Sequence, residues 1–447
     1  MRRQSLLFAD NFTNFVGSGC NFVIIDEKLL KDDENIMLIV QKYGGSSLGS
    51  ADHVRNVARK IQRTVEQGHQ VVVVVSAMGD STDDLLELAM QLAPTPSARE
   101  LDQLLSTGET QSSALMAMTL EHSGVPAKSF SGRQAGIITS YDFGKARIEH
   151  VEPRELRNAL AVGITPVVAG FQGVTRSGEV ATLGRGGSDL TAIAIANALG
   201  ADRCEIYSDV AGVYTADPRI IPSASPLGML NYDEMLELSS QGAQVLQTQA
   251  VEFAKGQQVP IYARSTFSDD PGTVIREVKK ENIEKPPVTA IALNRHIAKI
   301  GLIGVPDAPG VAALLFGELG QSGINVELII QALSHNQLND IAFTIEEEDV
   351  NRAEPIVKEC LRKLGGNSLT IDTQVAKVSA IGSGMLGRPG VAARVFQALA
   401  NGNINIQMIG TSEIKISCII DRKDAERAMR LIHDEFQLGM SQEMIED

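Results

Sequence analysis

The chain of 447 residues carries 55 acidic and 40 basic side chains, a formal net charge of −15, and no basic tract. This balance argues against binding to nucleic acid or to an anionic membrane. No apolar run approaches the roughly 20 residues that span a bilayer, and the length suits two or three domains. The four cysteines, at 20, 204, 360 and 418, form no close pair. We therefore expect no zinc site or disulfide framework, and a place in the reducing cytoplasm.

Residues 1–36 form an extension ahead of the first clear strand pattern. Two arginines precede the apolar residues 6–8, as in a weak signal peptide, but polar and acidic residues interrupt that run. The acidic residues also argue against a transit peptide. We interpret 1–36 as a disordered extension or the product of an upstream start, and expect the functional chain to begin near Met37.

The segment 42–47, Lys-Tyr-Gly-Gly-Ser-Ser, follows an apolar run and is called the Lys42 loop below. Its glycines let backbone N–H groups approach an anion, its hydroxyls add donors, and Lys42 supplies positive charge. The Gly-x4-Gly-Lys-Ser/Thr order of a Walker motif is missing. The segment predicts a phosphate-binding loop, and the alternative is a glycine turn beside a surface lysine.

Strand and helix patterns alternate over residues 37–280. The predicted strands are 71–75, 165–170 and 201–207, and the predicted helices are 54–65 and 191–199. Five consecutive valines in the first of these strands are typical of a parallel strand buried on both faces. The pattern predicts a three-layer α/β/α sandwich with a mainly parallel sheet. In such sheets ligands bind beyond the carboxyl ends of the strands.

An internal repeat follows a charged, proline-containing linker at 281–287. The pattern Pro-Gly-Val-Ala-Ala-x-x-Phe occurs at 309–316 and again at 389–396, with an Ile-Asn pair repeated at the same offset. Each copy predicts a ferredoxin-like βαββαβ unit. The predicted units are 297–374 for the first, and 288–296 together with 375–447 for the second. We therefore expect the first unit to be inserted within the second.

The segment 183–189, Leu-Gly-Arg-Gly-Gly-Ser-Asp, directly precedes the alanine-rich helix and is called the Arg185 loop. Unpaired N–H groups and the dipole at a helix N-terminus favour an anion there. Arg185 can bind a carboxylate through two hydrogen bonds, and Asp189 can hold Lys42 or an ammonium group. The alternative is a capped helix start, with Ser188 or Asp189 as the N-cap. That alternative does not explain Arg185 among three glycines.

Two further segments carry polar side chains that suit a ligand. The loop 208–219 follows a predicted strand and offers donors and acceptors for a nucleotide, with Tyr214 able to pack on a base or ribose. Taken alone, this loop is equally well interpreted as a turn-rich connection. The sequence Ser-Thr-Gly-Glu at 106–109 is expected to begin a helix and to place Glu109 near an entry loop. An isolated glutamate is more often a solvated or capping residue.

Together these segments resemble the aspartate kinase branch of the amino-acid kinase family. The matching segments are 42–47, 76–83, 106–109, 170–173, 183–189 and 208–219, and the resemblance runs from about Met37 to Leu438. The two repeats resemble tandem ACT domains, the amino-acid-sensing units of this family. The resemblance implies transfer of the γ-phosphoryl group of MgATP to the side-chain carboxylate of L-aspartate, the first step towards lysine, threonine and methionine. It also implies inhibition by lysine and/or threonine and a homo-oligomer formed through the ACT domains, with a shorter regulatory subunit left open.

The resemblance further implies roles for individual residues. Lys42 and Asp189 are the expected catalytic residues, and ATP and Mg²⁺ are the expected cofactors, with no protein residue assigned to the metal. The expected ATP-binding residues are Lys42, Tyr43, Gly44, Gly45, Ser76, Ser208, Asp209, Tyr214, Asp217 and Arg219. The expected aspartate-binding residues are Ser47, Thr82, Glu109, Arg185, Gly186, Gly187 and Ser188. The expected effector-binding residues are Asp307, Asn325, Gln331 and Thr411.

The chain departs from the resemblance at 242–249. Many relatives have Gly-Ala-Lys-Val-Leu-His-Pro-Arg, whereas this chain has Gly-Ala-Gln-Val-Leu-Gln-Thr-Gln. Gln244 removes a positive charge near the nucleotide, which predicts weaker ATP binding or a different nucleotide pose. Two alternatives stay open. One is a kinase acting on glutamate, acetylglutamate or a nucleoside monophosphate, and the other is a non-catalytic amino-acid sensor.

Overall fold

The computed structural model describes residues 36–242, 245–278, 286–332 and 337–439. Residues 1–35 of the predicted extension, Gln244, most of the predicted linker and the tail from 440 lie outside the described residues. Within them, no helix is both long and apolar enough to cross a membrane. Cys204, Cys360 and Cys418 are buried free thiols.

Strands and helices alternate from Leu38 to Ile275. The strands are β1 (Leu38–Tyr43), β2 (Gln70–Val75), β3 (Ala127–Phe130), β4 (Ile137–Thr139), β5 (Ile148–Val151), β6 (Thr165–Ala169), β7 (Gln172–Thr175), β8 (Val180–Thr182), β9 (Arg203–Ser208), β10 (Met229–Leu230), β11 (Ile261–Ser265) and β12 (Thr273–Ile275). The helices are α1 (Ala51–Glu66), α2 (Ser81–Leu92), α3 (Ala98–His122), α4 (Arg154–Ala161), α5 (Gly187–Leu199), α6 (Tyr232–Ser240) and α7 (Thr248–Gln257).

The main sheet has the strand order β10-β12-β11-β9-β1-β2-β6-β3 in the described part of the chain. Neighbouring strands run parallel except β11 and β12, which confirms the mainly parallel sheet. In register, Lys42 lies opposite Val74 of β2 and Ile206 of β9, next to the carboxyl ends of these strands. The sheet therefore carries Lys42 at the edge where ligands bind in open α/β folds.

The valine run of β2 explains the three layers. Val71, Val73 and Val75 pack in one apolar core with α1 and α3, whereas Val72 and Val74 pack in another with α4, α5 and α7. Successive residues of a strand point to opposite faces, so an unbroken apolar run requires helices on both. Helix α1 is capped by Ser50, whose hydroxyl accepts from the N–H of His53.

A smaller sheet, β5-β4-β7-β8, lies beside the main sheet and ends next to the Arg185 loop. Its position depends on Asp102 of α3, which is 1% exposed. One carboxylate oxygen accepts from the N–H groups of Gly144 (2.9 Å) and Thr182 (2.8 Å), and the other accepts from the Thr182 hydroxyl (2.7 Å). Since Thr182 ends β8, Asp102 fixes the point at which the Arg185 loop begins.

The remaining elements form two repeat units. They are β13 (Ala290–Asn294), β14 (Ile297–Pro306), α8 (Val311–Gln321), β15 (Ile329–Gln331), β16 (Leu338–Glu346), α9 (Val350–Leu364), β17 (Ser368–Asp372), β18 (Val375–Ile381), α10 (Val391–Asn401), β19 (Met408–Thr411), β20 (Lys415–Asp421) and α11 (Ala425–Glu435). The two sheets are β15-β16-β14-β17 and β13-β18-β20-β19. They share one strand order, in which β13 stands where the first unit has β17. Because β13 pairs antiparallel with β18, the strand that precedes the first unit belongs to the second.

Candidate active site

A buried ion pair joins the main sheet to α5. The Nζ of Lys42 lies 2.7 Å from Oδ1 of Asp189, and the two side chains are 12% and 8% exposed. Lys42 is next to last in β1, and Asp189 is in the first turn of α5. The contact between Lys42 and Asp189 that the sequence suggested is thus observed. It holds a lysine ammonium at the helix end that favours anions.

The Lys42 loop turns tightly against the ends of the neighbouring strands. The N–H of Gly44 donates to the carbonyl of Tyr207 at 3.2 Å. A methyl group on Gly45 would stand 3.0 Å from the carbonyl oxygens of both Ala77 and Gly79, so the loops after β1 and β2 approach more closely than another residue allows. The sequence therefore needs its second glycine for packing as well as for access to an anion.

Ser188 lies over the ends of β2 and β6. A methyl group on Gly170, directly after β6, would stand 2.7 Å from the Ser188 hydroxyl and 3.0 Å from the carbonyl of Val75. Ser188 is 7% exposed. The first turn of α5 is therefore brought onto the same edge of the sheet as Lys42, as expected for loops at the carboxyl ends of parallel strands.

The predicted start of α5 at 191 is wrong, and so is the alternative in which Ser188 or Asp189 caps the helix. The helix begins at Gly187 rather than at 191, and its N-cap is Gly186, which makes no side-chain capping bond. Gly186 has a φ of 71°, a left-handed conformation that glycine adopts at low cost. Ser188 and Asp189 consequently lie inside the first turn, where their side chains are available to the site. Arg185 precedes this turn and is exposed.

Glu109 is a buried carboxylate beside the strand ends. It is 3% exposed, and Oε1 accepts from the N–H of Ala77 at 3.1 Å. Within the described residues Oε2 has no hydrogen-bond partner. Burial raises the pKa of this carboxyl from 4.5 to about 7. An ammonium group would satisfy the free oxygen and favour the ionised form.

The predicted helix start at 106–109 is also wrong. Glu109 lies in the middle of α3, which begins at Ala98 and is capped by the hydroxyl of Ser97. The Ser106 hydroxyl instead donates to the carbonyl of Gln103 within the helix. The rigid helix, rather than a loop, holds Glu109 against Ala77. This contact could not be predicted from the residue pattern, because every residue type except proline carries the backbone N–H that Glu109 accepts from.

Two residues that were expected to bind a ligand, Tyr43 for ATP and Ser47 for aspartate, have buried side chains. Tyr43 is 0% exposed and stacks on Tyr207 with ring centroids 4.7 Å apart, while burial raises the pKa of its hydroxyl. Ser47 is also 0% exposed, and its hydroxyl lies 2.6 Å from that of Thr266. Both side chains are thus fully buried against other residues of the protein. The expected contacts of Tyr43 with ATP and of Ser47 with aspartate stay predictions.

The loop 208–219 divides between two regions. Ser208 and Asp209 lie at the carboxyl end of β9, next to the strand that carries Lys42. Further along, Ala216 packs in the core of the second repeat unit, and the Thr215 hydroxyl lies 3.1 Å from Nε2 of His433. Only the first part of the loop is therefore tied to the strand ends. The second part docks against the second unit.

Most of the remaining candidate residues are partly or fully exposed, and some of them contact neighbouring side chains. Asp217 pairs with Arg219 at 2.8 Å, and the hydrogen bond from that guanidinium lowers the pKa of Asp217. Tyr214, Ser76 and Thr82 are partly exposed, and the effector candidates Asp307, Asn325, Gln331 and Thr411 are exposed. Asp307 accepts a hydrogen bond of 2.9 Å from the amide of Asn339, a contact that the sequence did not reveal.

Comparison with known proteins agrees with this architecture. Residues 37–265 match the amino acid kinase family, and residues 300–361 and 378–436 match the ACT domain. The chain belongs to the amino acid kinase family, with two C-terminal ACT domains. Within it, the chain is 47% identical to the aspartokinase of Corynebacterium efficiens, over 91% of this chain and 97% of that protein.

Solved structures give the same result. Escherichia coli aspartokinase III in complex with aspartate and ADP, in its R-state, has a TM-score of 0.74 and 26% identity, over 89% of this chain and 99% of that one. The T-state complex of the same protein with lysine and aspartate has a TM-score of 0.71 with equal coverage. The aspartokinase similarity thus extends over both the kinase domain and the ACT domains.

Proposed function

We propose that this chain is an aspartate kinase, which transfers the γ-phosphoryl group of ATP to the β-carboxylate of L-aspartate and forms 4-phospho-L-aspartate. The observation that carries the proposal is the Lys42–Asp189 pair, held between the end of β1 and the N-terminus of α5. Sequence similarity to aspartokinases over nine-tenths of the chain supports it. In this role the protein begins the synthesis of lysine, threonine and methionine.

The chemistry requires charge neutralisation rather than a general base. The attacking carboxylate is already ionised at neutral pH, so the difficulty is to bring one anion up to another. The ammonium of Lys42 and the N-terminus of α5 lie at one edge of the sheet and are fixed before the reactants bind. Preorganised positive groups of this kind stabilise the charge that develops on the transferred phosphoryl group.

Mg²⁺ suits this site as an ion that arrives with the nucleotide. In the described part of the chain no three His, Cys, Asp or Glu side chains group together. Mg²⁺ in kinases is held largely by phosphate oxygens and water, with few protein ligands, so a dedicated protein cage is not required. When bound, it would neutralise phosphate charge. Ser208 and Asp209, at the end of β9, are the polar residues we assign to the nucleotide side.

Arg185, Ser188 and Glu109 are the groups we assign to aspartate. The exposed guanidinium of Arg185 suits the α-carboxylate, because it can donate two parallel hydrogen bonds. The free Oε2 of Glu109 suits the α-ammonium. One positive and one negative group match the two charges of an amino acid.

Arg185→Ala is expected to raise KM for aspartate roughly 10- to 100-fold, because hydrogen bonds to a charged group contribute about 1.5–3 kcal/mol. KM for ATP should change little. Steady-state kinetics with each substrate varied in turn measures both values. Arg176→Ala is the matched control, since Arg176 is exposed and pairs with Glu149 on the smaller sheet. Equal increases in both KM values would contradict the assignment of Arg185 to aspartate.

Lysine and/or threonine are the effectors we propose for the ACT domains. The E. coli relative that holds lysine and aspartate is described as a T-state. In this chain Asp307 is exposed directly before the glycine turn that begins α8, so its carboxylate can pair with an effector ammonium. Asn325, Gln331 and Thr411 complete the proposed effector residues.

Asp307→Ala is expected to weaken inhibition by the effector roughly tenfold, the cost of one charged hydrogen bond. The assay measures the effector concentration that halves the rate, with the rate without effector as reference. Glu354→Ala, on the exposed face of α9, serves as a control of the same charge change. If catalysis collapses while inhibition persists, the division between kinase and sensing domains is wrong.

We also propose that the protein works in the cytoplasm as a homo-oligomer paired through its ACT domains. Strands β15 and β19 lie at the edges of the two ACT sheets, and Ile329 on β15 is 50% exposed. An edge strand with an exposed apolar side chain is suited to pairing with another chain. Light scattering of the purified protein would measure the subunit number and reveal whether a shorter regulatory subunit is needed.

The direct test is MgATP consumption by the purified protein with L-aspartate, with the acyl phosphate trapped by hydroxylamine. Aspartate-dependent turnover that falls with lysine or threonine would support both parts of the proposal. Turnover with glutamate, acetylglutamate or a nucleoside monophosphate instead would identify a different amino acid kinase. Effector binding without turnover would identify a sensor.

A further inference from the structure

Helix α6 is fastened to the ACT domains by polar side chains on one face. Glu234, Glu237 and Gln241 are spaced three and four residues apart, so they lie along the same side of the helix. Glu234 is 4% exposed, and its Oε1 accepts from the N–H of Ser383 at 2.8 Å and from the Thr289 hydroxyl at 2.9 Å. Lys415 pairs with Glu237 at 2.7 Å.

Gln241 joins the two ACT domains to each other and to α6. Its amide Nε2 donates to Oε1 of Glu327, just before β15 of the first unit, at 2.8 Å. Its Oε1 accepts from the hydroxyl of Ser379, in β18 of the second unit, at 3.3 Å. Gln241 is 1% exposed and Ser379 0% exposed, so neither has water as a substitute partner. The amide therefore depends on the relative position of the two ACT sheets.

Glu327, which accepts from Gln241, also forms an ion pair with a buried lysine. Lys377, which is 2% exposed, pairs with Oε2 of Glu327. Glu327 lies two residues after the effector candidate Asn325. A ligand that moves the segment at Asn325 would move the carboxylate shared by Lys377 and Gln241. Breaking this contact removes the carboxylate that neutralises a buried lysine and one of the hydrogen bonds of a buried amide, which is costly.

Helix α6 packs against α7, and the start of α7 contacts the Arg185 loop. Met235 and Leu238 of α6 share one apolar core with Ala250 and Val251 of α7, so the two helices pack together. Gln247 immediately precedes α7 as its N-cap residue. A methyl group on Gly186 would stand 2.1 Å from Cγ and 2.4 Å from Cβ of Gln247. The Gln247 side chain therefore lies directly on the backbone between Arg185 and the start of α5.

We propose that Gln241 and Gln247 are positioning residues for the aspartate site: the α6–α7 pair transmits the relative placement of the two ACT sheets to Gly186 and thus to Arg185. This inference rests on the proposed aspartate kinase activity and names the route by which an effector reaches its substrate site. Neither residue touches the reacting atoms. Their effect is to set where the Arg185 guanidinium stands.

The test is a double-mutant cycle of Gln241→Leu and Gln247→Ala in the full-length protein. Leucine is close to glutamine in volume and removes the hydrogen bonds of the Gln241 amide to both ACT domains, together with its local bond to the Ser240 hydroxyl. We expect Gln241→Leu to raise KM for aspartate at least threefold, with kcat affected less, and to shift the lysine or threonine concentration that halves the rate. In the Gln247→Ala background, Gln241→Leu should have little further effect on KM, because the packing of the Gln247 Cγ and Cδ atoms on Gly186 is already lost.

Glu237→Gln is the control, since it weakens the same interface on the same helix without touching the contacts of Gln241. Thermal unfolding of each variant separates loss of stability from loss of position. If the KM increase of the double mutant equals the product of the two single increases, the residues act independently and the inference is wrong. It is also wrong if the variants lose stability but keep the wild-type KM and inhibition. A wild-type protein that fails to phosphorylate aspartate would instead contradict the proposed function on which the inference rests.

Discussion

Lys42→Ala is expected to lower kcat by roughly two to three orders of magnitude, the scale on which a preorganised charge-stabilising donor acts. Lys42 lies next to the N-terminus of α5, and its Nζ is 2.7 Å from Oδ1 of Asp189. The ion pair therefore orients the ammonium group before the substrates bind. Loss of the ammonium removes positive charge where the phosphoryl group is transferred. KM for aspartate should change less than kcat, since Arg185 and Glu109 remain.

Stopped-assay kinetics with hydroxylamine trapping measures this effect, and Lys128→Ala is the control. Lys128 lies on β3, at the far edge of the main sheet, and contacts Phe130. Asp189→Asn should also reduce kcat, by less, because Lys42 keeps its charge but loses the carboxylate that orients it. Turnover of Lys42→Ala within a few-fold of the wild-type value would remove Lys42 from the catalytic residues.

Removing Lys42 alone also leaves Asp189 as a buried carboxylate without its cation, which is destabilising. The double variant Lys42→Met/Asp189→Asn keeps the volume of both side chains and removes both charges. We expect it to be inactive but closer to wild type in thermal unfolding than Lys42→Ala. A folded yet inactive double variant separates the catalytic effect from the structural one.

The sequence predicted those strands and helices whose own residue composition identifies them. The valines of β2 and the alanine-rich helix α5 were found from their own composition, because burial on both faces leaves an unbroken apolar run. The helix start assigned to 106–109 was wrong because a polar Ser-Thr pair resembles a cap wherever it stands. Here the carbonyl of Gln103 accepts from the Ser106 hydroxyl inside α3, and Ser97 is the true cap.

Contacts between distant segments could not be predicted in the same way. The hydrogen bond from Ala77 to Glu109 and the packing of Gln247 on Gly186 depend on the fold as a whole. Burial of Tyr43 and Ser47 was equally invisible, since a polar loop next to a glycine turn is usually exposed. The Lys42–Asp189 pair was the exception, because two opposite charges in two anion-binding segments had a physical reason to meet.

The apparent affinity for aspartate is expected to fall as pH is lowered through 7, because Glu109 binds the substrate ammonium only when ionised. Burial raises the pKa of Glu109 from 4.5 to about 7. Lowering the pH from 8 to 6 should therefore reduce kcat/KM for aspartate roughly tenfold, since kcat/KM follows the ionisation of the free enzyme. Glu109→Gln should have a low and flat profile, whereas Glu100→Gln, exposed on the same helix, should keep the wild-type profile.

The raised pKa of Glu109 also predicts that ionisation of this carboxyl, which favours aspartate binding, lowers the stability of the folded protein. A carboxyl group with a raised pKa in the folded state favours folding when protonated, and its ionisation costs stability as pH rises from 4.5 to 7. The cost is complete above pH 7 and amounts to roughly 3 kcal/mol at 1.36 kcal/mol per unit. Urea unfolding should thus find Glu109→Gln more stable than wild type at pH 8 and nearly equal to it near pH 5. A stability difference independent of pH would mean that Glu109 is not buried in ionised form, and that its free oxygen is not held ready for an ammonium group.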